Sequence, residues 1–259
     1  MSYDATLLTE PASPPPPPVP DGKLQPIAHW LHTVALLALF ILTTMFTEHR
    51  AATRQLGHTA LIPSYLASIA AEWVLLALVI AGVYRRRDFL AQAFLNRTRT
   101  VMESLGLGAA VYVAGFLAIA LVSSVLYFTP LFHRRNEAAI MAMAPHTALQ
   151  LLVWFAVSLS AGLCEEIIFR GYLLQQLSAW TQRPVVSIFL GALLFGSVHL
   201  YEGLGAILPL AALAVVFGFV VHHFKGDLRA VAVAHTLQDF IVALLLLARP
   251  YIEQHQPKL

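Results

Sequence analysis

Charge is scarce in this chain. Aspartate, glutamate, lysine and arginine make up 12% of its 259 residues and apolar side chains 58%, whereas a soluble domain carries about 25% charged residues. That balance excludes a water-soluble globular domain and points to an all-α, polytopic membrane protein. Cysteine is nearly absent. Cys164 stands alone, which rules out an intrachain disulfide and any zinc site built from several thiolates. A net charge of +2 is too small to imply a nucleic-acid partner; the expected partners are the lipid bilayer and a substrate. There is no HExxH pair. Residues 1–28 also lack a basic segment feeding into an apolar core, since Asp4, Glu10 and Asp21 stand against Lys23 alone. No cleavable signal peptide is expected.

Proline, by contrast, is concentrated in one place. The stretch PASPPPPPVPDG can form neither helix nor ladder hydrogen bonds. It marks 1–28 as a polyproline II or disordered tail, an inert spacer rather than a docking motif. Residues 29–259 then form one transmembrane domain. A helix needs about 20 apolar residues to cross the hydrocarbon. Candidate spans fall near 29–47, 62–84, 105–128, 148–178, 184–201, 204–224 and 228–248, giving a bundle of seven to eight helices with no soluble insert and no internal repeat.

The loop 85–104 carries Arg85, Arg86, Arg87, Arg97 and Arg99 against Asp88 and Glu103. The excess of Lys and Arg places this loop, and with it the N-terminus, in the cytosol. Arg183, Lys225 and Arg229 fall on the same side, while Arg50, Arg54, Arg134, Arg135, Arg249 and Lys258 fall on the other. The bias is modest. A multi-pass protein of a bacterial inner membrane is expected.

Three polar clusters interrupt the late spans. A charged residue at the bilayer centre costs about 2.5–3.5 kcal/mol on insertion scales, so such residues call for a reason. In EEIIFR, Glu166 and Arg170 are four apart, share a helix face and can pair. Glu165 points about 100° away from Glu166 and has no such partner. A lone carboxylate suits proton transfer, although the cluster would also serve as a structural ion network. In FGSVH, Phe195 lies one turn before His199 and can pack beside it; a histidine at a helix end is otherwise an interfacial residue. In HTLQD, His235 and Asp239 share one face. The aspartate can hold the imidazole, or both can bind one oxygen or a metal.

Other residues carry weaker signals. Glu72 sits alone mid-span beside Trp73, as a cavity residue or a snorkelling one. His222 and His223 end a span and fit the headgroups. Cys164, Ser160, Ser197, Gly191, Gly196 and Gly218 read as packing residues.

Depth brings the clusters together. Residues 165 and 199 are equidistant from 182, so a hairpin turning at WTQRP sets Glu165 and His199 at one height. The stretch 148–178 spans about 46 Å as a helix, longer than the hydrocarbon, so its tip should protrude and leave the site about 10 Å below that surface. His235 falls near the same depth. Glu165, His199, His235 and Asp239 can then line one cavity.

EExxxR, FxxxH and HxxxD, in this order on separate late helices, resemble the CPBP family, the CAAX proteases and bacteriocin-processing enzymes, also called Abi. The resemblance covers about 148–248, the catalytic core. It implies an intramembrane endopeptidase with a conical cavity open to the cytosol, cutting a peptide or protein substrate that can be lipidated. It further implies that Glu165 is the base that activates water and that His199 shares this water. His235 and Asp239 would bind the oxyanion or the peptide carbonyl, and Glu166 and Arg170 would orient the first glutamate. The family's last motif usually ends in asparagine, where this chain has Asp239. Cofactor chemistry stays open. Glu165, His199, His235 and Asp239 make an acceptable zinc set, and a metal-free, glutamate-dependent scheme, which the resemblance favours, uses the same residues. A non-enzymatic immunity or scaffold protein is the alternative of another class. A proton-coupled carrier fits less well, because inverted repeats are missing.

Overall fold

The computed structural model describes residues 23–53, 61–83 and 99–255. The proline run and the arginines at 85–87 and 97 lie outside the described residues. Every regular element among the described residues is helical, as the apolar runs require: backbone groups in lipid must be satisfied within each segment. The helices are α1 (Trp30–Thr53), α2 (Leu61–Gly82), α3 (Val101–Leu126), the short α4 (Glu137–Ala142), α5 (Ala148–Glu166), α6 (Leu174–Thr181), α7 (Pro184–Val198), α8 (Leu204–His223) and α9 (Arg229–His255). Five stretches are long and apolar enough to cross a membrane: Leu61–Gly82, Val101–Leu126, Ala148–Thr181, Leu204–His223 and Arg229–Arg249. Trp30–Thr43 and Pro184–Val198 are shorter apolar helices. Five of the seven spans expected from sequence thus have crossing length, and the other two, near 29–47 and 184–201, are shorter apolar helices.

Local signals fix the helix starts. Thr100 caps α3 in a capping box with Glu103: its hydroxyl accepts from the Glu103 N–H at 3.2 Å, and the Glu103 carboxylate accepts from the Thr100 N–H at 2.7 Å. Asn136 caps α4, Thr147 caps α5, and Pro184 opens α7 at a position that needs no N–H. Between α5 and α6 the rod does not break. Ile167–Leu173 form a π-helical stretch, all seven residues buried, and the whole Ala148–Thr181 rod of 34 residues is about 50 Å long. It overshoots the hydrocarbon, as expected.

The bundle has two distinct ends. At the first, α3 and α9 begin and α8 finishes. The Arg99 guanidinium lies 3.7 Å from the Phe224 ring centroid, and both Arg99 (3.2 Å) and Arg229 (2.8 Å) pair with Asp227. The hairpin tip between α6 and α7 is at this end too. There Gln182 clasps Leu24, accepting its N–H at 3.1 Å and donating to its carbonyl at 3.0 Å, and the buried Gln176 does the same for Ile27 and Ala28. At the second end, the Asn136 N–H donates to the Glu202 carbonyl (2.8 Å), Tyr65 donates to the Met143 carbonyl (2.6 Å), and Arg249 meets the Met141 sulfur (3.5 Å). Gly203, at φ +94°, closes this end: a Cβ there would meet the Arg134 carbonyl and the Asn136 N–H.

Asp227 gives a test of the first end. Burial would raise its carboxyl, but the hydrogen bonds from Arg229 and the charges of Arg229 and Arg99 outweigh it and hold the group below the usual carboxylate range. A depressed carboxylate contributes stability above its unfolded value, about 3.9, and loses it as pH falls through the folded value. Asp227→Asn should therefore cost about 1–3 kcal/mol at neutral pH. Thermal unfolding in detergent should show the gap to the unaltered protein closing as pH drops through the acid range. A gap that stays constant with pH would contradict this account.

Small residues let the site helices touch. A Cβ on Gly162 of α5 would run into Thr236 Oγ1 and the Ala232 carbonyl of α9, and one on Gly196 of α7 would run into the Ile207 carbonyl of α8. Gly218 packs against Ile188 in the same manner. These close approaches bring α5, α7, α8 and α9 around one polar cluster.

Candidate active site

The cluster is built on Glu166, which is fully buried at the junction of α5 and the π stretch. Arg170 Nη1 donates to its Oε1 at 2.7 Å, the pair expected from the i, i+4 spacing. The same oxygen lies 2.7 Å from His235 Nδ1. With Glu166 ionised, Nδ1 is the protonated nitrogen, and the other ring nitrogen is turned toward Glu165 and Asp239. His235 Nε2 is 3.9 Å from Glu165 Oε2 and 3.6 Å from Asp239 Oδ2. Both gaps exceed hydrogen-bond length, and Glu165 Oε2 has no hydrogen-bond partner among the described residues.

Aromatic rings wall the cluster. The Arg170 guanidinium lies 4.4 Å from the Phe195 ring centroid and 5.3 Å from that of Phe217, cation–π contacts that partly replace water. Phe195 also stands edge-on to His235 (5.8 Å) and beside His199 (4.8 Å). His199 Nδ1 bonds the Phe195 carbonyl at 2.9 Å, leaving Nε2 as its free nitrogen. The structure thus brings Glu165, Glu166, Arg170, His235 and Asp239 together directly. His199 joins them through the Phe195 ring.

Two features differ from the sequence expectation. The residue that holds the His235 ring is Glu166, 69 positions away, not Asp239 one turn on. And the open end of the cluster faces away from the basic loop. Side-chain exposure is 0% at Glu166, 4% at Arg170 and His235, 20% at Glu165 and 32% at Asp239. Asp239 lies one turn beyond His235 toward the Arg134 end, and His199 closes α7 at that same end. The depth reading had set the site near the hairpin tip. Equal distance from residue 182 does level Glu165 with His199, but α7 has only 15 residues and carries that level across the bundle.

Two residues outside the motifs belong to this neighbourhood. Tyr201, on the turn after His199, is largely buried. Burial first, and then the charges of Glu202, Glu165 and Asp239, push its hydroxyl well above the usual phenol value. Glu72 of α2 reaches Ser160 of α5 and lies within electrostatic range of Glu165, Asp239 and His235. Its mid-span position was the one sequence signal for it; nothing in the sequence marked Tyr201.

The candidate zinc set does not fit this geometry. Zinc takes three or four N, O or S ligands at about 2.0–2.3 Å, and among the described residues no three His, Cys, Asp or Glu side chains come together in that way.

An intramembrane carboxylate beside a clamped imidazole, in a bundle of apolar helices, marks a polytopic membrane protein with a candidate proton-transfer site. Residues 147–241 match the family described as type II CAAX prenyl endopeptidase, Rce1-like. The resemblance carried by EExxxR, FxxxH and HxxxD is borne out over this segment. No curated protein and no solved structure matches the chain.

Proposed function

We propose that the protein is an intramembrane endopeptidase in which Glu165 activates a water for attack on a peptide carbonyl. The observation that carries this reading is the 3.9 Å gap between His235 Nε2 and the partnerless Glu165 Oε2. A water bridging the two would have one acceptor to take its proton and one imidazole to orient it. Glu165 takes the proton, the hydroxide adds to the carbonyl carbon, and the same proton passes to the leaving nitrogen as the C–N bond breaks. The products are a carboxylic acid and an amine, which by proton transfer become a carboxylate and an ammonium. Oxyanion stabilisation falls to His235, which Glu166 would hold as a donor once it is doubly protonated. Arg170 holds the same Glu166 oxygen in place at 2.7 Å. His199 and Asp239 line the open end, where the peptide enters.

No step needs a metal. Purified protein treated with a strong chelator is expected to cleave a fluorogenic, prenylated peptide ending in a CAAX sequence as fast as untreated protein. Loss of cleavage that returns only on adding zinc would overturn the metal-free scheme. The family description favours a lipidated substrate, and for its cut to fall at the cytosolic surface the Arg134 end must face the cytosol. That is the reverse of the orientation suggested by the arginines at 85–87.

A further inference from the structure

Glu72 lies outside all three motifs and outside residues 147–241. It stands in the middle of α2, whose Leu75, Leu76 and Val79 are buried in the core. Snorkelling cannot explain it: from Leu61 or from Gly82 it is about 15 Å along the helix, beyond the reach of a glutamate. It is turned inward, to Ser160 and the site, yet its Oε2 is buried and has no hydrogen-bond partner among the described residues. A buried acceptor left unmade costs about 1–3 kcal/mol, so the fold alone does not account for this glutamate.

The chemistry around it indicates what would complete it. Glu72 lies within electrostatic range of Glu165 and Asp239, and all three carry oxygen acceptors. Glu165 Oε2 is also partnerless, and so is Gln238 Oε1, next in sequence to Asp239. The missing complement is a set of donors. An extended peptide supplies N–H groups at every residue, whatever its side chains.

Resting on the endopeptidase reading, we propose that Glu72 is a substrate-binding residue of this site, its free carboxylate oxygen accepting a backbone N–H of the peptide next to the scissile bond. α2 then forms a wall of the cleft, and the chain outside the family-matched segment contributes to binding.

The test uses the full-length protein in detergent with the prenylated CAAX peptide and versions N-methylated at one amide at a time. Glu72→Ala is expected to raise KM up to about 10-fold, the size of one hydrogen bond, with kcat little changed. Glu72→Gln keeps an acceptor and should stay close to the unaltered KM. One N-methyl position should weaken binding to the unaltered protein but not weaken it further in Glu72→Ala. A fall in kcat at constant KM, Glu72→Gln as impaired as Glu72→Ala, or additive losses at every N-methyl position would overturn the proposal. If the unaltered protein fails to cleave, the endopeptidase reading itself falls; if it cleaves and the Glu72 variants match it, only this inference does. Should Glu72→Ala not fold, Glu72→Gln and the N-methyl series still decide.

Discussion

Glu165→Gln should abolish peptide cleavage while leaving the protein folded. The substitution keeps the shape of the side chain and removes the acceptor that takes the water's proton. A positioned general base contributes about 10²–10⁴-fold, so cleavage of the prenylated CAAX peptide should fall by at least about 100-fold. Stability should not fall with it. Glu165 Oε2 has no hydrogen-bond partner among the described residues, so the fold loses no hydrogen bond there. The check is paired: turnover, and thermal unfolding in the same detergent. Unchanged cleavage would remove Glu165 from the chemistry, and a large drop in Tm would recast it as a structural residue.

Arg170→Ala should have the opposite profile, with activity and stability lost together. Arg170 is the cation nearest the fully buried Glu166 and stacks on Phe195. Removing one partner of a buried pair costs about 3–5 kcal/mol, because the other charge is left behind. The same Glu166 oxygen holds His235, so the clamp on the imidazole loses the cation that fixes it. Arg170→Lys restores the charge but not the planar fork, and it should recover stability better than turnover. An Arg170→Ala protein as stable and active as the unaltered one would show that Glu166 is satisfied some other way.

Much of this was legible along the chain. The spans follow from apolar runs of bilayer length. The Glu166–Arg170 pair follows from i, i+4 geometry and Phe195 beside His199 from one helical turn, both local relations. What escaped was non-local or depended on backbone detail. The His235–Glu166 bond joins two helices whose relative rotation is set by Gly162 against Thr236 and Ala232, and no spacing rule reports that. The π stretch that displaces Arg170 and Tyr172 from regular α positions has no residue cue in EEIIFRGYLL. Glu72 was visible as an isolated acid, but its inward direction depends on how α2 leans on α5.

The position of the open end has a mechanical consequence. From Asp239 to the end of the α9 crossing at Arg249, the helix rises about 15 Å. A polypeptide threading down that distance in extended form uses about five residues. On the endopeptidase reading a substrate must therefore supply slack, a loose tail or an unravelled loop of that length. A compact domain in the same membrane, even one bearing an identical sequence at its surface, would stay out of reach.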